Sequence, residues 1–432
     1  MKDSAAEVLQ FVRENDVKFI RLAFCDITGA QKNIAVTAQE LPRAFERGIG
    51  FDSSNVQGLE RIEQSDLFLV PDCSTISILP WRPAHERVMR MFCDVCYPDG
   101  RPFEDAGRAI LKQAVQRAAD KGYICRFGTE CEFYLFRTDE SGNPTNEPFD
   151  HGTYADMAPL DRGENIRREI CLVLEAMGLM PESSHHEQGP GQNEVDFRYA
   201  DALTAADNFV TFKSVVKALA AQNGLYASFL PKPLPGHAGN GLHLQLSLAR
   251  GGKNLFEISP RHSEDAESFV QGILDRTADI TAFLNPLTNS YRRFGSFEAP
   301  RYVTWSHQNR SQLIRIPASS GESNRMELRS PDPSCNPYLA FALLIHAGLD
   351  GIEQKRQLTP PCNGEIVAAM AELLPQDLGE ALQRAKNSEF VTHWLPEGAR
   401  QSYFAIKEHE WKACRMAEDS LVWERNTFFE RV

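Results

Sequence analysis

The sequence predicts an α+β chain of two domains, residues 1–103 and 104–432. Three observations lead there. Strictly alternating segments such as "GLHLQLSL" (241–248) and "RMELRSPD" (325–332) mark strands with one apolar and one polar face. Segments with helical periodicity stand beside them: an N-terminal one, one from about Arg108 to Lys121, and a helix-rich tail from Glu365 onward. Between the first strands and the second helix, "YPDGRPFEDAG" gathers Pro98, Asp99, Gly100 and Pro102, which breaks the chain near residue 104.

In chain order, "SAAEVLQFV" opens the first helix, with Ser4 and Glu7 at capping-box spacing. Strands follow at "VKFIRLAFCDITG" and "RVMRMFCDVCY". Beyond the break, loops rich in Gly and Pro ("ESGNPTNEPFDHGTY", "EQGPGQNE", "PKPLPGHAGNG") separate strands with polar faces. No internal repeat and no low-complexity tract is seen.

Lys and Arg number 46 against 59 Asp and Glu, a formal charge of -13, so the overall field opposes nucleic acid or an anionic membrane. An anionic substrate must be held by local arginines. Ten cysteines at irregular spacings, with no secretory leader read ahead of them, fit a reducing cytoplasm rather than a disulfide framework. Cys93 and Cys96 form a lone CxxC inside a strand and read as packing residues, not as a zinc site. The longest apolar run, "YLAFALLIHAGL", contains His346 and is too short to span a bilayer.

The chemistry is carried by the polar faces. In "RFGTECEFYLF", strand alternation puts Glu130 and Glu132 on one face and Cys131 and Phe133 on the other. Two carboxylates side by side repel unless a cation sits between them or one stays protonated. The other alternating segments add His243, Gln245 and Ser247, then Arg325, Glu327 and Arg329; "SSHHEQGPGQNEVDF" supplies His186, Glu187 and Glu194 around a tight loop. Taken singly, each polar face fits the solvent side of an antiparallel sheet. Taken together, Glu130, Glu132, Glu187, Glu194, Glu327 and His243 form a donor set for hard divalent cations, Mg²⁺ or Mn²⁺. Arg292, Arg293, Arg310, Arg315, Arg325 and Arg329 form a cationic group, some of them ordinary surface arginines. Metals with arginines point to phosphoryl transfer. With no Walker A loop and no GxGxxG fingerprint, a nucleotide would be held by these groups.

At these residues the sequence resembles the type I bacterial glutamine synthetases along nearly its whole length: "FDSSNVQG", "SDLFLVPD", "GTECEF", "SHHEQGPGQNE", "GNGLHLQLS", "NRSQLIRIP" and "MELRSPDPSCNPYLAFALLIHAGLDGI" occur in family order. The resemblance implies an N-terminal β-grasp domain, a catalytic α/β domain with a mainly antiparallel sheet, and a dodecamer of two hexameric rings whose sites lie between neighbouring subunits. It implies glutamate, ATP and ammonia as substrates. Glu132, Glu187 and Glu194 would hold one metal, and Glu130, His243 and Glu327 the other. Arg310, Arg315 and Arg325 would stabilise phosphate, while Arg293, Arg329 and the segment around Gly239 hold glutamate. Asp52 would take the proton of ammonium beside Asn55, Tyr154 and Glu187, and Glu298 would shield the acyl phosphate from water.

Three segments depart from the family pattern. "FDSSN" replaces "FDGSS", so Ser53 stands for a glycine and Asn55 for a serine; "AGNGLH" replaces "NGSGMH", so Ala238 stands for an asparagine; and the flap "FGSFEAP" is one residue short of "LVPGYEAP". All three surround substrate, so the acceptor stays open between ammonia and an organic amine (a γ-glutamylamide or γ-glutamylpolyamine synthetase). A catalytically silent assembly protein on the same scaffold is the reading that the six intact metal positions oppose. The short "TPPCNGEIV" replaces the segment of the adenylylated tyrosine, so that modification is not expected. Arg61 resembles a feedback arginine and equally fits a surface ion pair.

Overall fold

The computed structural model describes residues 4–59, 65–257, 262–317, 324–364 and 371–432; Arg61 lies outside them. The chain opens with α1 (Ala5–Glu14), whose capping box is formed: Ser4 Oγ accepts from the Glu7 amide at 3.3 Å, and the Ser4 amide donates to Glu7 Oε2 at 2.6 Å. A six-stranded sheet follows from β1 (Val17–Cys25), β2 (Gln31–Thr37), β3 (Ile49–Asp52), β4 (Asp66–Pro71), β5 (Ser77–Ile78) and β6 (Arg87–Cys96), with α2 (Leu41–Arg47) inserted before β3. Its order is β2-β1-β6-β4-β3 with β5 on β6, and β1 runs parallel to β6. Cys93 and Cys96 are free and buried in this sheet, as packing residues would be.

The larger sheet has ten strands: β7 (Tyr123–Thr138), β8 (Pro144–Pro148), β9 (Pro181–His186), β10 (Gln192–Asp201), β11 (Leu225–Ser228), β12 (Leu242–Arg250), β13 (Lys253–Asn254), β14 (Trp305–Ser306), β15 (Ile314–Arg315) and β16 (Met326–Leu328). The main order is β14-β15-β16-β12-β7-β10-β9, antiparallel at every step except β14 to β15. Helices α3 (Gly107–Asp120), α4 (Glu164–Ala176), α5 (Ala202–Gln222), α6 (Glu264–Leu284) and α7 (Pro337–Glu353) accompany it, and the tail adds α8 (Leu378–Asn387), α9 (Glu389–Trp394), α10 (Glu397–Met416) and α11 (Ser420–Phe428).

One face of the large sheet is core. Phe127, Cys131 and Phe133 of β7, Val195 of β10, and Leu242, Leu244 and Leu246 of β12 pack in one cluster with Leu111 of α3, Phe212 of α5 and Phe341 of α7. Phe127 stacks on Phe341 with centroids 4.3 Å apart. The apolar run around His346 is α7, buried along almost its whole length. His346 stacks on Trp394 at 3.9 Å and meets Arg117 Nη1 at 3.1 Å; burial, then Arg117, pushes its imidazole down to about 3, so it stays neutral. No helix among the described residues is long and apolar enough to cross a membrane. Because α3, α5 and α7 cover the apolar face, the opposite face of β7, β10, β12 and β16 is left for polar groups.

Candidate active site

Sheet register gathers the polar residues. Glu132 lies opposite Glu194 across β7 and β10, and Glu130 lies opposite His243 across β7 and β12. Glu327 enters from β16, and Glu187 follows the end of β9. Ligand atoms of Glu130, His243 and Glu327 lie within 4.8 Å of one another, as do those of Glu132, Glu194 and His243, and those of His185, Glu187 and Glu194. All six positions expected to hold metal therefore join one continuous cluster.

The neighbours orient this cluster. Glu132 Oε2 accepts from the Gly241 amide at 2.7 Å, and Glu130 Oε1 accepts from Gln245 Nε2 at 2.7 Å. Glu327 is 1% exposed and is held by Arg315 Nη1 at 2.8 Å and by Arg329 Nη1. Arg325 Nε donates to Gln245 Oε1 at 2.6 Å, so Arg325 reaches Glu130 through one amide. Arg293 is buried, and its guanidinium donates to the carbonyls of Ser330 and Arg329 at 2.8 and 2.9 Å. The backbone must come close here: a Cβ on Gly241 would stand 2.7 Å from Arg293 Nη2, and one on Gly239 would stand 2.4 Å from the Pro231 carbonyl.

Burial and like charge leave the carboxylates short of a counter-ion. Burial and then Glu187 push Glu132 up to about 8, and burial with Asp196 raises Glu194 well above the carboxylate range. Burial and then Arg329 push His243 well below its usual range, which keeps the imidazole neutral and its lone pair available. Oxygen donors that repel one another, together with a neutral imidazole, fit divalent cations.

Glu130, Glu132, Glu187, Glu194, Asp196 and His243 line a cavity of about 920 Å³, with Tyr154, Gly239, Arg293, Glu298, Arg310, Arg315, Arg325 and Arg329 around them, while Glu327 is bound to the wall arginines Arg315 and Arg329. Tyr154 stands at the mouth, 58% exposed, its ring 5.1 Å from His185. Ala238 lines the wall where the family pattern carries an asparagine. In the flap, Phe297 and Glu298 take φ of 48° and 66°, left-handed values that cost side-chain-bearing residues energy, and Glu298 lines the cavity. Arg292, counted with the cationic group, instead holds Glu424 at 2.7 Å and does not line the cavity.

Asp52 and Asn55 do not join the cavity of their own chain. They lie at the end of β3, where Asp52 accepts from the Ser54 amide at 2.9 Å, from Ser54 Oγ at 2.6 Å and from Asn55 Nδ2 at 3.1 Å. The Ser54 hydrogen bonds hold its carboxyl below the usual range. Ser53 is fully buried with its hydroxyl unpartnered, so it faces no pocket and can act only through the shape of the turn.

His186, grouped with Glu187 and Glu194 from the sequence, turns away from the cluster. Its Nε2 lies 2.8 Å from Asp150 Oδ1 and its Nδ1 2.6 Å from the Glu187 carbonyl, so it braces the Glu187 backbone from behind. The cluster histidine is His185, opposite Glu194 in the register, with Nε2 3.0 Å from Glu187 Oε1. Asp196 was also missed: it lies opposite Glu130, is bonded by Ser183 Oγ, and is pushed up to about 6 by burial and Glu130. Its place two residues beyond Glu194 was the available signal.

The family model described as "Glutamine synthetase, catalytic domain" matches residues 104–426, and "Glutamine synthetase, beta-Grasp domain" matches residues 16–98. The chain is 48% identical over 417 residues to a glutamine synthetase of Methanosarcina mazei, covering 94% of this chain and 93% of that protein. It is 44% identical over 444 residues to one of Clostridium saccharobutylicum, covering 100% and 99%. Among solved structures, a GmaS/ADP complex has a TM-score of 0.88 at 32% identity, covering 99% of both chains.

Proposed function

Since the chain belongs to the glutamine synthetase family, we propose that it is an ATP-dependent ligase that phosphorylates the γ-carboxylate of glutamate and condenses it with ammonia to give glutamine. The observation that supports this best is the convergence of Glu130, Glu132, Glu187, Glu194 and His243 with Arg293, Arg310, Arg315, Arg325 and Arg329 around one cavity, with Glu327 joined to the same cluster.

In this reading Glu132, Glu187 and Glu194 hold one divalent cation, and Glu130, His243 and Glu327 hold the other. Such cations, when bound, neutralise charge on the transferring phosphoryl group. Arg310, Arg315 and Arg325 stabilise the same developing charge from the cavity wall. Arg293, Arg329 and the backbone at Gly239 orient glutamate. Transfer of the γ-phosphoryl group breaks the bond to ADP and turns the γ-carboxylate oxygen into a leaving group. The amine must attack as the free base, so Asp52 takes a proton from ammonium beside Asn55, Tyr154 and Glu187. Glu298 closes over the acyl phosphate and keeps water out.

Asp52 and Asn55 lie outside the cavity of their own chain, so we place the site between subunits of a dodecamer, with the N-terminal domain, joined near residue 104, completing its neighbour's cavity. Mixing Asp52→Ala subunits with Arg329→Ala subunits is then expected to restore activity that neither variant has alone. A hybrid oligomer that stays inactive, or a monomer by light scattering, removes the shared site. The ten described cysteines are all free, which supports a reducing cytoplasmic location.

A second reading, ligation of glutamate to an organic amine, is motivated by Ala238 in the cavity wall, where the family pattern carries an asparagine. The two are separated by running glutamate and ATP with ammonia, methylamine, ethanolamine and putrescine in parallel, with products read by mass. Ammonia is expected to give the highest catalytic efficiency. A clearly higher value for an organic amine replaces the first reading by the second, and Asn55→Ser should then shift preference toward ammonia.

A further inference from the structure

A second cavity, of about 480 Å³, lies where β1, β2 and β6 of the small sheet face α5 beneath the large one. It shares no residue with the carboxylate cavity. Its charge is one-sided: Arg21, Lys32, Arg90, Lys213, Lys217 and Arg431 line it, and no carboxylate does.

The buried carboxylates nearby are already engaged. Asp26 lies 3.4 Å from Lys32 and accepts from Thr28 and the Ala30 amide, while Asp207 holds Arg108 at 3.0 Å and the Tyr338 hydroxyl at 2.6 Å. Arg431, at the rim, has Glu410 at 3.9 Å as its one ion-pair partner among the described residues. Arg90 is 7% exposed; its Nη1 donates to Thr211 Oγ1 at 2.8 Å, but its Nε has no partner. Lys213 Nζ donates to the Pro333 carbonyl at 2.7 Å, a neutral acceptor, and meets the charge of the buried Asp332 only through space, with no ion pair to it. The side chains of Arg21 and Lys217 make no hydrogen bond or ion pair among the described residues. Burial and then Lys213 push the Lys217 ammonium down to about 7, the response of a cation with a like charge beside it and no counter-charge.

The Nε atoms of Arg137, Arg167, Arg315 and Arg329 are also unpartnered, but each of those guanidinium groups has a carboxylate within salt-bridge distance and, among the described residues, Arg90 has none, which points to an anion bound there. Cations crowded in a half-buried space are costly unless an opposite charge joins them. The cavity is also roomier than a single water or chloride needs and falls in the size range of small-molecule sites, with Trp81 and Phe209 as apolar wall. We propose that this cavity is a binding site for a small organic or inorganic oxyanion of at least two negative charges, a carboxylate or a phosphate, bridging Arg21 and Arg90 of the small sheet to Lys213 and Lys217 of α5. Since α5 packs against β7 and β10, the occupant braces the helix lying under Glu132 and Glu194. The site does not depend on the ligase reading.

The test is isothermal titration of the full chain with inorganic phosphate and with malonate, against sodium chloride at matched ionic strength. Lys217→Gln and Arg21→Gln serve as separate cavity variants, and Arg325→Gln controls for anions entering the carboxylate cavity. The stronger of the two anions identifies the source class. Each cavity variant is expected to weaken that anion by about tenfold or more, the scale of one charge-assisted hydrogen bond, while Arg325→Gln leaves this event in place. Lys217→Gln should also melt higher than the parent without anion and gain less from adding it. Affinity unchanged in both cavity variants, loss only in Arg325→Gln, an equal response to chloride, or no heat at millimolar anion would each overturn the site. Arg21 is only half-buried, so its variant decides the matter if Lys217→Gln does not fold.

Discussion

Replacing Glu327 by alanine is expected to remove turnover and to destabilise the protein by about 3–5 kcal/mol, the scale for removing one partner of a buried ion pair. Glu327 is 1% exposed and is the carboxylate that both Arg315 and Arg329 reach, and the Nε atoms of those two arginines are already buried without partners. Alanine would leave two guanidinium groups facing an empty site. Turnover should fall by at least about 10²-fold, the scale for deleting a group that stabilises developing charge. Glu327→Gln keeps an acceptor but not the charge, and should lie between parent and alanine in stability. Denaturant melts with initial rates measure both quantities, and an unchanged melt for Glu327→Ala would contradict the ion-pair geometry.

The second large effect is the response to divalent cations, and its sign follows from the carboxyls. Burial with Glu187 raises Glu132 to about 8, burial with Asp196 raises Glu194, and burial with Glu130 raises Asp196 to about 6. The same groups titrate near about 4 in an unfolded chain. The metal-free folded protein therefore binds more protons than the unfolded chain over this window. The stability that these three carboxyls contribute is fully present below about pH 4 and is lost as pH rises toward about 8. Added Mg²⁺ or Mn²⁺ favours the ionised forms, so the gain in melting temperature should be larger at pH 8 than at pH 5.5. At free metal near 100 times Kd the stabilisation is about 2.7 kcal/mol. Melting curves in chelator and in metal at three pH values test this, and curves that coincide at every pH would count against a metal centre.

Much of this was legible because strict period-2 alternation needs no tertiary knowledge. Glu130, Glu132, His243 and Glu327 could be assigned to one face each from their own segments, and the apolar partners of those segments form the hydrophobic core on the other face. The choice between His185 and His186 was not legible, since it depends on β9 pairing with β10 so that His185 meets Glu194. Asp196 is legible by the same alternation that gives Glu194. The two-residue strands β14 and β15, which carry Arg315 to Glu327, are too short to show a period at all. Nor does any segment of sequence reveal that cations from β1, β6 and α5 converge, because they come together only when the two sheets meet.

β7 serves two masters along its length: Glu130 and Glu132 look into the cavity, while Phe127, Cys131 and Phe133 look into the helices. Every substitution on this strand affects one face, but a single-residue insertion or deletion affects both, since it exchanges the faces of everything beyond it. The carboxylates would enter the aromatic core as the aromatics entered the cavity. Inherited changes of chain length can thus be absorbed in the Asp139–Asn143 turn, whose bonds are local, and are barred from the strand that precedes it.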